Sequence, residues 1–211
     1  EYLGKKTGEI EIGKPQAFIV PMEPGKVIKT HYHSVQQYQV ILSGEGTLGR
    51  LSIKPFSLHY ADGFTGYGPL VAGPAGMAYI ALRPSTDPGM IAMDRPDARE
   101  KMKPSPRRHW FEHDLPQSDP EHLASLAGVQ DHIVFKPTAD GAGANHLRLG
   151  PGVVSPKIDP AGTGGLYLLI CVGALRFEGR DLPVNSLIWV GPDDAPVTVT
   201  GGAQGAAVAV L

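Results

Sequence analysis

Between Gly25 and Gly44 the chain reads GKVIKTHYHSVQQYQVILSG, a glycine-bounded run that holds two imidazoles one residue apart. Side chains two apart on a strand share a face, so His31 and His33 project together while Tyr32 turns away. Gln37 to Leu42 comes next, and the alternation of Tyr38, Val40 and Leu42 predicts a second strand with one buried face. Ser43-Gly44-Glu45-Gly46 then turns the chain. The same punctuation continues throughout: 27 glycines and 20 prolines in 211 residues break the chain too often for long helices. The expectation is an all-β protein.

With 42% hydrophobic residues the chain can bury real cores, and its length suits two units of roughly a hundred residues each. A formal charge of −2 offers no broad field for nucleic-acid phosphates or anionic lipid, so neither partner is expected. The single cysteine, Cys171, cannot form an internal disulfide and lies in the apolar run LYLLICVGAL, which reads as a buried core thiol. That run is well short of the ~20 residues that span a bilayer. A soluble protein in a reducing, cytoplasmic compartment is the expectation.

Around the histidine run the first half reads as short strands: Ala17 to Val20, Gly46 to Ile53, and Phe56 to Tyr60 with Pro55 between the last two. A second patterned stretch, GPLVAGPAGMAYIALR, places Gly68, then Pro74 after five residues, then Gly76, Tyr79 and Arg83. The two stretches resemble the paired signatures of the cupin family, G-x5-H-x-H-x3-E-x6-G and G-x5-P-x-G-x2-H-x3-N. Both glycine frames are intact. Gln37 stands at the glutamate position, Tyr79 at the histidine position and Arg83 at the asparagine position.

The resemblance spans about residues 15–85 and implies a double-stranded β-helix, the cupin jelly-roll barrel. It implies a divalent transition metal in the lumen, iron, zinc, copper, manganese or nickel, held by the matching set His31, His33, Gln37 and Tyr79. Imidazole suits such ions, whereas an amide oxygen is a poorer donor than carboxylate. Tyr79 is a candidate phenolate ligand or a catalytic hydrogen-bond donor to substrate. His59, on the strand PFSLHY, is a pocket-wall candidate and a possible replacement ligand. Tyr38, Tyr60, Tyr67 and Arg83 are further pocket candidates. Facing the lumen, Arg83 would suit a substrate carboxylate; at a strand end beside Pro84 it is expected in solvent.

From Pro84 to about Pro120 the chain is rich in proline and mixed charge without sustained periodicity, which reads as a connector with at most short helices. Its basic residues, Arg95, Arg99, Lys101, Lys103, Arg107 and Arg108, alternate with acids and read as solvated surface. His109 and His113 would share a face only on a helix. From about Gly128 the strand pattern resumes. Gly152 and Gly173 are spaced almost as Gly25 and Gly44 are, so the second half reads as a degenerate repeat in which Ile158 and Pro160 occupy the histidine positions. The expected organisation is a barrel over 1–90, a connector over 91–125 and a second, ligand-free barrel over 126–211. Open β-edges predict a homodimer.

Two functions follow. One is a small-molecule oxygenase, isomerase or lyase working through a metal in the first barrel. The other is a non-catalytic barrel that binds a small ligand, with a vestigial metal site. Histidines ligating a metal with open positions would favour the first; histidines bonded to protein groups would favour the second.

Overall fold

The computed structural model describes residues 3–4, 8–113, 115–116 and 119–211. The chain divides into two units, Glu1–Asp114 and Leu115–Leu211. The strands of the first are β1 Gln16–Met22, β2 Val27–Ile28, β3 His31–Tyr32, β4 Gln37–Leu48, β5 Leu51–Ile53, β6 Leu58–Ala61, β7 Leu70–Arg83, β8 Ile91–Ala92 and β9 His109–Glu112. Seven of them form an antiparallel sheet in the order β1-β7-β4-β6-β9, with β2 on β7 and β5 on β4, while β3 pairs with β8. The second unit contains helix α1 Pro120–Ser125 and strands β10 Val129–Phe135, β11 Ala144–Leu149, β12 Leu166–Phe177, β13 Arg180–Pro183, β14 Leu187–Val190 and β15 Thr200–Val210. Its sheet runs β10-β11-β15-β12-β13, with β14 on β12.

The glycine frame has a steric cause. Gly44 and Gly76 both take positive φ, and a Cβ on Gly44 would lie 2.1 Å from the Gly76 carbonyl oxygen. Only glycine permits that backbone conformation and that approach together. Gly173 and Gly205 repeat the device in the second unit: both have positive φ, and a Cβ on Gly173 would meet the Gly205 oxygen at 2.2 Å. The ladder between the long strands slips twice in each unit, at Ile41/Ser43 and Gly44/Gly46 on β4 and at Ile170/Val172 and Gly173/Leu175 on β12.

Each unit has its own core. In the first, Met22, Ile41, Leu48, Ile53, Leu70 and Met77 pack against Tyr67 and Tyr79. In the second, Leu147, Leu149, Leu168, Ile170, Leu175 and Val208 do the same work. Fully burying one such side chain contributes roughly 1.5–3 kcal/mol. Cys171 lies in the second unit, buried and reduced, and burial pushes its thiol up to about 12. Among the described residues no helix is long and apolar enough to cross a membrane.

The segment expected to be irregular supplies two strands. β8 pairs with the histidine strand β3, and β9 forms the sheet edge on β6. Arg108 departs from the solvated surface expected of it. Its backbone N–H and its guanidinium all donate to the Asp62 carboxylate, at 2.6–3.2 Å, which ties the start of β9 to the end of β6. A charged residue before a short strand is indistinguishable by pattern from a solvated one, so the pairing left no trace in the sequence.

Candidate functional site

Strand alternation sorts the first sheet into two faces. Gln39 on β4 pairs with Ala81 on β7 and His59 on β6, and His59 pairs in turn with Phe111 on β9. One face therefore carries Gln37, Gln39, His59, Tyr79 and Arg83. Tyr38 and Tyr60 pair with each other and fall on the opposite face, where Tyr60 stacks on Trp110 and donates its hydroxyl to Asp62. They are not brought together with the other candidates. Tyr67 is: an isolated bridge joins it to His31, and its ring packs against His31 and His59 with centroids 4.6 and 4.7 Å away.

Inside this lumen the polar groups are joined atom by atom. His31 Nδ1 lies 2.7 Å from the Lys29 carbonyl oxygen, which only accepts, so the proton is on Nδ1 and Nε2 keeps its lone pair. That lone pair accepts from the Tyr67 hydroxyl at 3.0 Å. Tyr67 in turn accepts from Gln37 Nε2. Gln37 Oε1 accepts from Arg83 Nε at 3.0 Å, and Arg83 Nη1 donates to Gln16 Oε1 at 2.7 Å. Arg83 Nη2 is almost equidistant from the two ring nitrogens of His33, at 3.2 and 3.3 Å. Such equality sets the amino group over the ring, not in line with one lone pair.

Asp87 supplies the counter-charge. Its Oδ2 accepts from His33 Nδ1 at 2.7 Å and from the Gly89 N–H at 2.9 Å, and Oδ1 accepts from the Ser34 N–H at 3.0 Å. Arg83 Nη1 lies 3.6 Å from the same carboxylate. Burial alone would raise the Asp87 carboxyl, but the bonds and charges around it outweigh burial and hold it below the usual carboxylate range. His33 is pushed down, chiefly by burial, so the pair is a neutral imidazole donating to a carboxylate. Burial, with lesser help from His33 and Arg83, lowers His31 to about 4.

Arg83 is 4% exposed and Asp87 2%. The surface position expected for Arg83 is thus overturned: Asp87, Gln16 and Gln37 make burial of a guanidinium affordable. Neither Gln16 nor Asp87 belongs to a motif, and only the i, i+4 spacing of Arg83 and Asp87 hints at their pairing.

His59 is different. Its Nδ1 lies 2.6 Å from Gln39 Oε1, an acceptor, so Nδ1 carries the proton and Nε2 is a bare lone pair. The residue is 3% exposed, and Nε2 has no hydrogen-bond partner. Burial, followed by the fields of His109 and His31, holds its pKa well below the ordinary value. The His109 ring, on β9, stands edge-on to it at 4.8 Å. Tyr79 accepts from Gln39 and is raised by burial to about 12.

His31 and His33 carry the chemistry a metal needs, each with Nδ1–H on an oxygen and Nε2 unprotonated. Gln37 and Tyr79 do not complete the set. Both amide atoms of Gln37 are engaged, by Arg83 and Tyr67, and the Tyr79 phenol is held protonated far above neutral pH. Zinc sites take three or four protein donors, and no group of three or more His, Cys, Asp or Glu among the described residues comes together to hold a metal. As arranged, these side chains do not fit a four-donor metal, because Arg83 binds Gln37 Oε1 and covers the His33 ring, and Tyr67 donates to His31 Nε2.

No protein-family model and no curated protein matches the sequence. Solved structures do. A dioxygenase described as putative, from Nostoc punctiforme, aligns with a TM-score of 0.61 at 11% identity, over 93% of this chain and 67% of that one. A variant of Bacillus subtilis oxalate decarboxylase aligns at 0.57 and 10% identity, covering 93% and 68%. A mutant salicylate 1,2-dioxygenase from Pseudoaminobacter salicylatoxidans aligns at 0.56 and 13% identity, covering 93% and 69%. The fold is the cupin fold, as two jelly-roll barrels. At these identities the likeness is one of architecture, and the cupin lumen described above is this chain's own.

Proposed function

We propose that the first barrel binds a small organic molecule in a lumen whose fixed cation is Arg83, in place of a divalent metal. One observation carries the reading: the guanidinium binds Gln37, Gln16 and His33 and is neutralised by Asp87. His59 states what the ligand must bring. A buried lone pair without a partner calls for an O–H or N–H donor. The solved structures of like fold are named as dioxygenases and decarboxylases, which supports a small-molecule site of cupin type.

A metal-centred oxygenase, isomerase or lyase is the second reading, favoured by the Nδ1-protonated state of His31 and His33. Elemental analysis of untagged protein purified without added metal separates the two. Far less than one transition-metal ion per chain is expected; one tightly held ion per chain, lost in His31→Ala, would overturn the first reading in favour of the second. The homodimer is also proposed, through exposed sheet edges such as β10, which presents Ile133 at 55% exposure. Light scattering of a dilute solution should give twice the chain mass of 22.4 kDa, and a monomer would refute it.

A further inference from the structure

The second unit repeats the ladder of the first and fills it differently. Ile158 bridges Val197 as His31 bridges Tyr67, and Leu166 pairs with Val190 as Gln37 pairs with Ala61. Both aliphatic side chains line a cavity of about 280 Å³ that opens to solvent on one side. Strand register supplies its facing wall. From β10 to β12 one row reads Asp131, Leu147, Val208, Ile170, and the next reads Ile133, Asn145, Val210, Leu168. Residues directly opposite one another share a face of the sheet, and Leu147, Val208, Ile170 and Leu168 belong to the core of this unit. Asp131 and Asn145 are thus the two polar members of rows that are otherwise aliphatic, and both line the cavity.

Their bonding shows what they offer. Asn145 Nδ2 donates to both Asp131 oxygens, at 3.1 and 3.2 Å, which holds the carboxylate at the wall and leaves Asn145 Oδ1 as an acceptor. Asp159, next to Ile158, accepts the Ala161 N–H at 2.9 Å through Oδ1 alone. Thr163 Oγ1 gives its proton to the Pro160 carbonyl at 2.6 Å. The rim therefore presents acceptors, and two carboxylates, Asp131 and Asp159, against one ammonium, Lys157. We infer that this cavity is a second binding site, for a small organic cation: an ammonium head held by the rim oxygens, on a hydrocarbon body resting against Leu147, Ile158, Leu166 and Val210. The volume is near the lower end of the roughly 300–1,000 Å³ of ligand pockets and about twice the ~150 Å³ that takes up benzene, so the body is about one ring. An anion of the same shape would meet two like charges. The inference is independent of what the first barrel binds, since every lining residue belongs to the second unit.

Cyclohexylmethylamine and cyclohexanecarboxylate test it, one ring carrying opposite charges at neutral pH. The full-length protein is titrated with each at low salt while methyl NMR signals of Leu147, Ile158, Leu166 and Val210 are followed. The amine is expected to shift all four and to bind about tenfold more tightly than the carboxylate, a preference that shrinks as salt is added. Asp131→Asn and Asp159→Asn each remove one charge at an exposed position, and each is expected to cut the preference at least about threefold. Should one variant not fold, the other decides. Unmoved methyls at millimolar amine, a carboxylate that binds as tightly as the amine, or a preference unaltered in the folded variants would each overturn the inference.

Discussion

Arg83 and Asp87 form a buried ion pair whose partners are each tied down by neutral groups, and breaking such a pair costs far more than the pair itself contributes. Arg83→Met leaves the Asp87 carboxylate buried with only His33 and backbone N–H groups. A loss of about 3–5 kcal/mol is expected, read as a lower denaturant midpoint at unchanged slope. The same variant frees Gln37 Oε1 and uncovers His33, so Zn²⁺ uptake by calorimetry should rise above wild type. Unchanged zinc affinity would show that the guanidinium does not compete for these donors. The sequence disclosed half of this residue-level site. His31, His33 and Gln37 are legible because a backbone frame fixes their positions, whereas Arg83 stands in such a frame but is expected in solvent, and the structure buries it. Gln16 and Asp87 are not legible, because a side-chain pairing between distant segments has no period and no spacing rule.

At the scale of elements, the glycine contacts make the sharpest expectation. Gly44→Ala drives a methyl into the Gly76 carbonyl, and Gly173→Ala drives one into that of Gly205. Neither backbone can retreat without opening the ladder between the long strands. Each substitution should destabilise by at least about 2 kcal/mol, whereas Gly25→Ala, whose Cβ would meet nothing within 4 Å, should pay only for its positive φ. Comparable midpoints for Gly44→Ala and Gly25→Ala would remove steric approach as the cause. Long alternating strands were readable from the sequence. β8 and β9 were not: strands of two and four residues owe their existence to backbone bonds offered by a neighbouring edge, and proline-rich surroundings hide them.

Over the whole molecule, buried imidazoles set the response to acid. His146 in β11 is lowered to about 4 by burial, then by Arg148 and His132, and its Nδ1 has no partner. Below its ordinary value of 6.5 the unfolded chain takes up a proton that the folded chain refuses. Stability is therefore complete above pH 6.5 and falls towards pH 4, by up to about 3 kcal/mol for this group. Buried His31, His33 and His59 act in the same direction. Asp87, depressed in the fold, holds its contribution above the ordinary 3.8 and surrenders it below. His146→Leu should flatten the decline between pH 6.5 and 4 and raise stability at pH 7 by roughly 1 kcal/mol, since it removes an unsatisfied buried nitrogen. A slope unchanged in this variant would assign the acid response to other groups.

The shared ladder register has a consequence for how such a molecule changes over time. Backbone bonds and glycine contacts, which carry the shape, are separate from the side chains that fill the interior. One casting of the mould is polar and charged; the other is aliphatic. Mutation can therefore rewrite the filling of one half while the ladder of the other is left as it was, at the cost in stability that a buried pair such as Arg83 and Asp87 carries.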